Sequence, residues 1–190
     1  MDTGADIAGR ASSSDDAELV AAVNAGSHAA FETLYRRHRD WAVNLAFRFT
    51  GDEALALDVM QDTFLYLLRK FPGFELRSQL RTFLYPAVRN LSLAARRKAG
   101  RCQASDEENT ILACLPAPET VHAGEDDLAV VLASLPTPQR EVLLLRFVDG
   151  FSLDEIAAAL EIPLGTVKSR LHNALKILRD DPRTRDLLSE

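Results

Sequence analysis

Apolar residues recur every three or four positions along most of the chain, which is the spacing of one face of an α-helix. In the first hundred residues this periodicity is strongest over 19–24, 31–49, 52–70 and 80–98. Gly51-Asp52 and Pro72-Gly73 separate these stretches, because glycine and proline interrupt helices. The alternation expected of strands is weak throughout, so the pattern predicts an all-α fold.

The segment 135–179 has the pattern of a helix-turn-helix. Ser152 and Glu155 stand three residues apart, the spacing of a capping box at a helix start. Pro163 follows shortly, and a proline ends one helix and is tolerated in the first turn of the next. A second helix is predicted over 164–179. Its apolar stripe consists of Val167, Leu171, Leu175 and Leu178.

The opposite face of this second helix is polar, and no acidic residue occurs over 164–179. Small residues at its start would let backbone amides approach a phosphate, and polar side chains on the first turns can reach base edges in a major groove. The predicted DNA-contacting residues are Gly165, Thr166, Lys168, Ser169, Arg170, His172, Asn173 and Lys176. The alternative is an amphipathic helical hairpin whose basic face only meets solvent.

Composition divides the chain into two helical domains and a linker. We predict a disordered N-terminus over 1–15, a helical domain over 16–100 and a flexible linker over 101–127. A second helical domain over 128–182 and a tail over 183–190 complete the division. The linker is acidic and has too few large apolar residues to form a core.

The net charge of −6 at first argues against a nucleic-acid partner, but the distribution of the charge removes this objection. Residues 77–101 carry seven Lys or Arg and no acid, whereas 102–133 carry seven acids and no Lys or Arg. Binding of nucleic acid depends on a local basic patch rather than on the total. The charge pattern therefore favours a basic surface near the end of the first domain.

Two further features of the first domain indicate partner surfaces. Asp58, Gln61, Asp62 and Leu65 share one helix face, which can meet a basic partner; alone, it is an ordinary solvated face. The stretch 71–85 combines a Pro-Gly loop with aromatic and basic residues. Such a set can stack and hold unpaired bases or form a pocket for a base swung out of a helix. Its alternative is an inter-helix loop over a core of Phe.

Neither catalysis nor a metal is predicted. The four histidines are dispersed, no Ser-His-Asp grouping occurs, and no Cys or His spacing suits zinc. Cys102 and Cys114 are interpreted as reduced thiols, with a redox switch as the minor alternative. No apolar run approaches the roughly 20 residues that span a bilayer, and no signal core begins the chain, so a cytoplasmic protein is expected.

The segment 135–179 resembles region 4 of bacterial sigma factors and, less closely, the C-terminal domain of LuxR-type regulators. The match rests on residues such as Gln139-Arg140-Glu141-Val142, Gly150 and Glu155-Ile156-Ala157. Upstream, Leu34-Tyr35 and the run 58–64 are similar to region 2 of sigma factors. Region 2 before region 4, with only a linker between them, resembles the extracytoplasmic-function (group IV) sigma factors of the sigma-70 family.

This resemblance implies a non-enzymatic initiation factor, without a cofactor, that binds core RNA polymerase and directs it to promoters. The second domain would read the −35 element as duplex through the residues named above. The core-binding residues would be Asp58, Gln61, Asp62 and Leu65. Bases and phosphates of the −10 element would be held by Phe74, Arg77, Ser78, Gln79, Arg81, Arg89, Asn90, Arg96, Arg97 and Lys98.

The resemblance also implies an anti-sigma factor as a partner. Two rivals stay open: a free-standing helix-turn-helix regulator, and a sigma-like decoy that only binds an anti-sigma factor. The chain departs from the family pattern at Glu161, where Gly is frequent, and at Asn173, where Arg is frequent. Arg favours guanine and Asn favours adenine, so the second departure affects base preference.

Overall fold

The computed structural model describes the backbone of residues 5–100 and 125–184 and the side-chain surroundings of residues 15–100 and 130–184. Every regular element in these ranges is a helix, which confirms the all-α prediction. The eight helices are α1 (Ala5–Asn24), α2 (His28–Thr50), α3 (Glu53–Leu68), α4 (Leu80–Lys98), α5 (Glu125–Ser134), α6 (Thr137–Phe147), α7 (Leu153–Leu160) and α8 (Leu164–Asp180). Parts of the predicted N-terminus, linker and tail lie outside the described residues, namely 1–4, 101–124 and 185–190. The linker part includes Cys102 and Cys114.

Helices α1–α4 form an N-terminal unit and α5–α8 a C-terminal unit. In the N-terminal unit, α2, α3 and α4 pack on one another and α1 packs on α2. The core is made of fully buried side chains such as Leu34, Phe49, Leu67, Leu84 and Tyr85. Helix α1 begins at Ala5, inside the stretch that the sequence predicts to be disordered.

Local signals fix the ends of α2 and α3. The Ser27 hydroxyl accepts a hydrogen bond from the amide of Ala30 at 3.3 Å and caps α2. Gly51 ends this helix with φ of 65°, a left-handed conformation that glycine adopts without steric cost. The Asp52 carboxylate then accepts from the amide of Leu55 at 2.9 Å and starts α3.

A buried charge cluster attaches α1 to α2. Asp16 Oδ2 lies 2.8 Å from His38 Nε2, and Asp16 Oδ1 accepts from Arg37 Nη1 at 2.7 Å. Burial raises the pKa of Asp16, but the hydrogen bonds and charges of His38 and Arg37 outweigh it and hold the pKa below its ordinary value of 3.8. Asp16 is therefore a charged carboxylate at neutral pH, and it stabilises the contact between the two helices.

The C-terminal unit has a compact apolar core contributed by α5, α6 and α8. It consists of Val131, Leu132, Leu135, Leu143, Ala174 and Leu178, with Leu171 and Leu175 packed against it. Arg140 is buried beside it, where it donates to the backbone oxygens of Ala133 and Leu135, the latter at 2.9 Å. This arginine satisfies carbonyls at the end of α5 that have no partner within the helix.

Candidate nucleic-acid interface

The predicted capping box is present at the start of α7. The Ser152 hydroxyl accepts from the amide of Glu155 at 3.2 Å, and the Glu155 carboxylate accepts from the amide of Ser152 at 2.8 Å. At the other end of the helix, the amide of Ile162 donates to the carbonyl of Ala157 at 3.1 Å. Glu161 between them has φ of 54°, so the helix ends in a Schellman motif.

This capped end turns the chain from α7 into α8 within three residues. Pro163 is the N-cap of α8, and its carbonyl accepts from the amides of Thr166 and Val167 at 2.8 and 3.2 Å. No side chain caps this helix start. The backbone amides of Leu164 and Gly165, at the start of α8, are thus left for solvent or for an anionic ligand such as a phosphate.

Helix α8 presents the predicted polar face to solvent. Its exposed residues include Gly165, Lys168, Ser169, His172, Asn173 and Lys176, whereas Thr166 and Arg170 are half-buried. Val167, Ala174 and Leu178 are buried on the opposite side. The predicted stripe is thus displaced slightly: Ala174 is fully buried, while Leu171 and Leu175 are only half-buried. The predicted DNA-contacting side chains share one surface.

The predicted acidic face of α3 is exposed, and it carries more apolar surface than the sequence pattern indicated. Asp58, Gln61 and Asp62 are exposed, and Leu65 is 48% exposed. Exposed apolar side chains on the same helix are Leu57, Tyr66 and Leu68. Half of the eight large apolar side chains exposed in the described part of the chain are therefore on α3. Such clustering is typical of surfaces that bind a partner.

The loop between α3 and α4 is attached to the domain by aromatic rings. Phe74 is only 9% exposed, and its ring centroid lies 5.5 Å from that of Phe71 and 4.7 Å from that of Phe83. Phe83 in turn stacks on Tyr66 of α3 at 6.1 Å with an interplanar angle of 16°. Phe74, which the sequence assigned to the base-binding set, is thus an anchor of the loop rather than an exposed ring.

The polar residues that follow Phe74 are accessible. Arg77 and Ser78 are exposed and Gln79 is half-buried. Arg77 pairs with Glu75 at 3.0 Å, but both side chains are largely exposed, so this ion pair contributes little stability. These three predicted residues lie together, between the Phe74 anchor and the start of α4.

The predicted basic residues of α4 fall into two groups. Asn90, Arg97 and Lys98 are exposed, and Arg81 and Arg89 are half-buried, with the Arg81 guanidinium 5.6 Å from the centre of the Trp41 ring. Arg96 differs, because it is 8% exposed and donates from Nη1 to the carbonyl of Phe49 at 3.0 Å. Arg96 therefore joins α4 to the end of α2, and the structure places it apart from the exposed cations.

Among the residues that the structure describes, no group of three His, Cys, Asp or Glu side chains could hold a metal ion. In the same residues, no helix combines the length and the apolar character required to cross a membrane. The predicted site residues lie on three exposed surfaces: the polar face of α8, the exposed face of α3, and the loop 71–79 with the exposed cations of α4.

The chain is thus a protein of two helical units, the second of which contains the helix-turn-helix α7–α8. Comparison with known proteins identifies its family. The family model of sigma-70 region 2 matches residues 34–102, and that of sigma-70 region 4 matches residues 125–178. The sequence is 34% identical over 167 residues to the ECF RNA polymerase sigma factor SigL of Mycobacterium tuberculosis, covering 84% of this chain and 93% of that protein. It is 28% identical to SigW of Bacillus subtilis, covering 85% and 93%. It is also 32% identical to SigE of Mycolicibacterium smegmatis, but there it spans 60% of the relative.

Two solved structures share the fold. CnrH in complex with the cytosolic domain of CnrY aligns with a TM-score of 0.62 and 26% identity, covering 92% of this chain and 97% of that one. The sigma factor RpoE in complex with the anti-sigma factor NepR from Bartonella quintana aligns with a TM-score of 0.60 and 27% identity, covering 79% and 94%. The chain belongs to the extracytoplasmic-function sigma factors of the sigma-70 family, which are non-enzymatic factors that direct RNA polymerase.

Proposed function

We propose that this sigma factor reads the −35 element of its promoters as duplex DNA through the exposed face of α8. The observation that carries the proposal is a polar face with no acidic residue over 164–179, on the second helix of a capped helix-turn-helix. In such a motif the second helix lies in the major groove, and its N-terminal residues contact base edges. Lys168, Asn173 and Lys176 are exposed on this face and carry hydrogen-bonding groups that can make such contacts.

The −10 element, in this proposal, is captured as unpaired bases by the loop 71–79 and the neighbouring face of α4. Arg77, Ser78 and Gln79 with Asn90 supply hydrogen-bonding groups for base edges. Arg89, Arg97 and Lys98 neutralise phosphates, an interaction that is sensitive to salt and carries no sequence information. Phe74 and Arg96 support this surface from inside the domain, in line with their burial.

Core RNA polymerase, we propose, docks on the exposed face of α3. Asp58 and Asp62 provide negative charge for a basic partner surface, and Gln61 provides hydrogen bonds. Leu57 and Leu65 provide apolar area that would leave water when the complex forms. A face that mixes carboxylates with several exposed apolar residues suits a protein partner better than a nucleic acid, because carboxylates repel phosphates.

An anti-sigma factor is the remaining proposed partner, and the cytoplasm is the proposed site of action. The anti-sigma proposal is supported by the two solved relatives, one complexed with the cytosolic domain of CnrY and one with the anti-sigma factor NepR. Such a partner would inhibit by covering the apolar residues of α3 or the polar face of α8, since either occlusion prevents initiation.

The first test is run-off transcription with purified core polymerase and a library of DNA fragments, with and without the full chain. We expect discrete new start sites preceded by a shared two-part element. Polymerase binding without transcripts would favour the sigma-like decoy. Neither binding nor transcripts, from a folded chain, would favour the free-standing regulator.

The second test is the pair of substitutions Lys168→Ala and Asn173→Ala in one protein. We expect affinity for the −35 duplex to fall about thirtyfold or more, since each good side-chain contact to a base contributes about 1–3 kcal/mol and this variant loses two. Binding to core polymerase should not change. Arg179→Ala, an exposed cation on the last turn of the same helix, is the matched control. Equal loss of both activities would refute the assignment of this face.

A further inference from the structure

The side chain of Asn24, the last residue of α1, is bound to the loop between α3 and α4. Its Oδ1 accepts from the amide of Gly73 at 2.7 Å and from the amide of Phe74 at 3.1 Å. Its Nδ2 donates to the carbonyl of Phe74 at 2.9 Å. Two backbone donors and one backbone acceptor are thus satisfied by a single amide group, and this set of partners fixes its orientation.

Asn24 is itself held in place. Gly26, two residues after the end of α1, has φ of 93°. Its amide donates to the carbonyl of Val23 at 2.9 Å, and the amide of Ser27 donates to the carbonyl of Ala22 at 3.0 Å. This is a Schellman end, which leaves little freedom for the last turn of the helix. The hydrogen bonds of Asp16 to Arg37 and His38 attach the same helix to α2, so α1 presents the amide from a fixed position.

The loop has few other restraints at this point. Gly73 has φ of 98°, and nothing lies within 4 Å of the place where a Cβ would stand. The aromatic contacts of Phe74 hold its side chain but leave its backbone groups to Asn24. The next residues, Glu75 to Gln79, are mostly exposed and include the polar side chains proposed to meet bases.

We infer that Asn24 is a positioning residue for base capture: it fixes the backbone of Gly73 and Phe74 and thereby sets the direction in which Arg77, Ser78 and Gln79 leave the domain. The inference rests on the proposed role of the loop in −10 recognition. It adds α1 to the elements that support the proposed −10 surface of the loop 71–79 and α4, although α1 contributes no side chain of its own to that surface. A single hydrogen bond of this kind contributes little to stability, but the side-chain amide of Asn24 makes three of them.

The test uses the full chain bound to core polymerase and a single-stranded oligonucleotide that carries the −10 element found by run-off transcription, with 2-aminopurine at a base of that element. We expect Asn24→Ala to weaken oligonucleotide binding about tenfold, which corresponds to about 1.4 kcal/mol. Asn24→Asp keeps both acceptor groups but sets a carboxylate oxygen against the carbonyl of Phe74, so it should also bind more weakly than the wild type. The 2-aminopurine fluorescence change on binding should decrease in both variants.

Asn44→Ala, at an exposed asparagine of α2, is the matched control and should behave as the wild type. Affinity for core polymerase and for the −35 duplex should be unchanged in all three variants. Wild-type oligonucleotide binding by Asn24→Ala would overturn the inference. Loss of polymerase, −35 and −10 binding in equal proportion would also overturn it, since that is the result of a purely structural role.

Amide hydrogen exchange of the chain alone separates this inference from the function on which it rests. In Asn24→Ala the amides of Gly73 and Phe74 should exchange faster, while those in the middle of α2 keep their rates. Unchanged exchange at both amides would refute the restraint itself. A second result would overturn the base-capture role but leave the contact established. In that case the two amides exchange faster in Asn24→Ala, yet the wild type binds the −10 oligonucleotide no better than a scrambled one.

Discussion

Replacement of Glu161 by Gly should stabilise the C-terminal unit. Among the described residues, Glu161 is the only one other than glycine with a positive φ, at 54°. Its position is set by the Schellman end of α7, which requires the left-handed conformation whatever residue occupies it. Glutamate has a Cβ that contacts the backbone unfavourably in this conformation, and glycine does not.

The size of the effect follows from two opposing terms. The left-handed conformation costs an L-residue other than glycine about 1–2 kcal/mol. Glycine loses more conformational freedom on folding, which costs about 0.5–1 kcal/mol. The net gain expected for Glu161→Gly is therefore about 0.5–1 kcal/mol. In a small domain a change of about 1 kcal/mol moves Tm by about 4–8 °C.

Differential scanning calorimetry of the full chain measures the shift, and two variants separate its causes. Glu161→Ala removes the charge but keeps the Cβ, so it should leave Tm within error of the wild type. Glu161→Asn should lie between Ala and Gly, because Asn tolerates the left-handed region better than other non-glycine residues. The fluorescence of Trp41, the single tryptophan, follows the N-terminal unit and should show an unchanged transition.

Equal stabilisation by Gly and Ala would refute this reasoning, because it would assign the cost to the carboxylate rather than to the backbone. The charge should instead appear in DNA binding. Both variants remove an exposed acid from the turn that precedes α8, so both should raise affinity for duplex DNA slightly at low salt. Stability and affinity are thus expected to separate within one series of substitutions.

Three further predictions concern other sites. Ser152→Ala removes the cap of α7 and should lower the stability of the C-terminal unit by about 1 kcal/mol by calorimetry, whereas Ser152→Thr should retain most of it; equal loss in both would argue against the capping box. Because the pKa of Asp16 is held below 3.8, its stabilisation is fully present above pH 3.8 and is lost as the pH falls through its lower folded-state value. The stability difference between the wild type and Asp16→Asn, measured by urea unfolding, should therefore shrink on acidification, and a constant difference would refute the ion-pair account. Arg97→Ala should reduce the salt dependence of promoter binding by about one unit of slope, while Arg96→Ala should leave the slope unchanged and destabilise the fold by about 1–3 kcal/mol; the reverse pattern would show that Arg96 contacts phosphate.

The sequence predicted best what local chemistry determines. The capping box at Ser152 and the periodicity of α8 depend on residues three to seven positions apart, and both are present in the structure. The exposed face at Asp58, Gln61 and Asp62 followed from the same helical spacing. In each case the residues of one helix and those next to it in the sequence are enough to predict the feature.

The features that the sequence did not reveal are those in which distant segments meet. Arg96 and Phe49 are 47 positions apart, and Asn24 and Phe74 are 50 apart, so no spacing rule indicates either hydrogen bond. A run of cations on α4 indicated a basic surface, but only the packing of α4 on α2 shows that one member points inward. The sequence assigned Phe74 to base contact because the pattern of a loop does not show whether an aromatic side chain is exposed or buried.

The stacked pair of Tyr66 and Phe83 has a consequence for genetic dissection of this protein. Tyr66 is 37% exposed on α3 and follows Leu65, which is proposed to meet polymerase, yet its ring lies against Phe83, which contacts Phe74 in the loop. An allele of Tyr66 would therefore combine a docking defect with a displaced loop, and its phenotype could not be attributed to either. Leu57, near the other end of α3, is the better choice for an allele that separates the two activities.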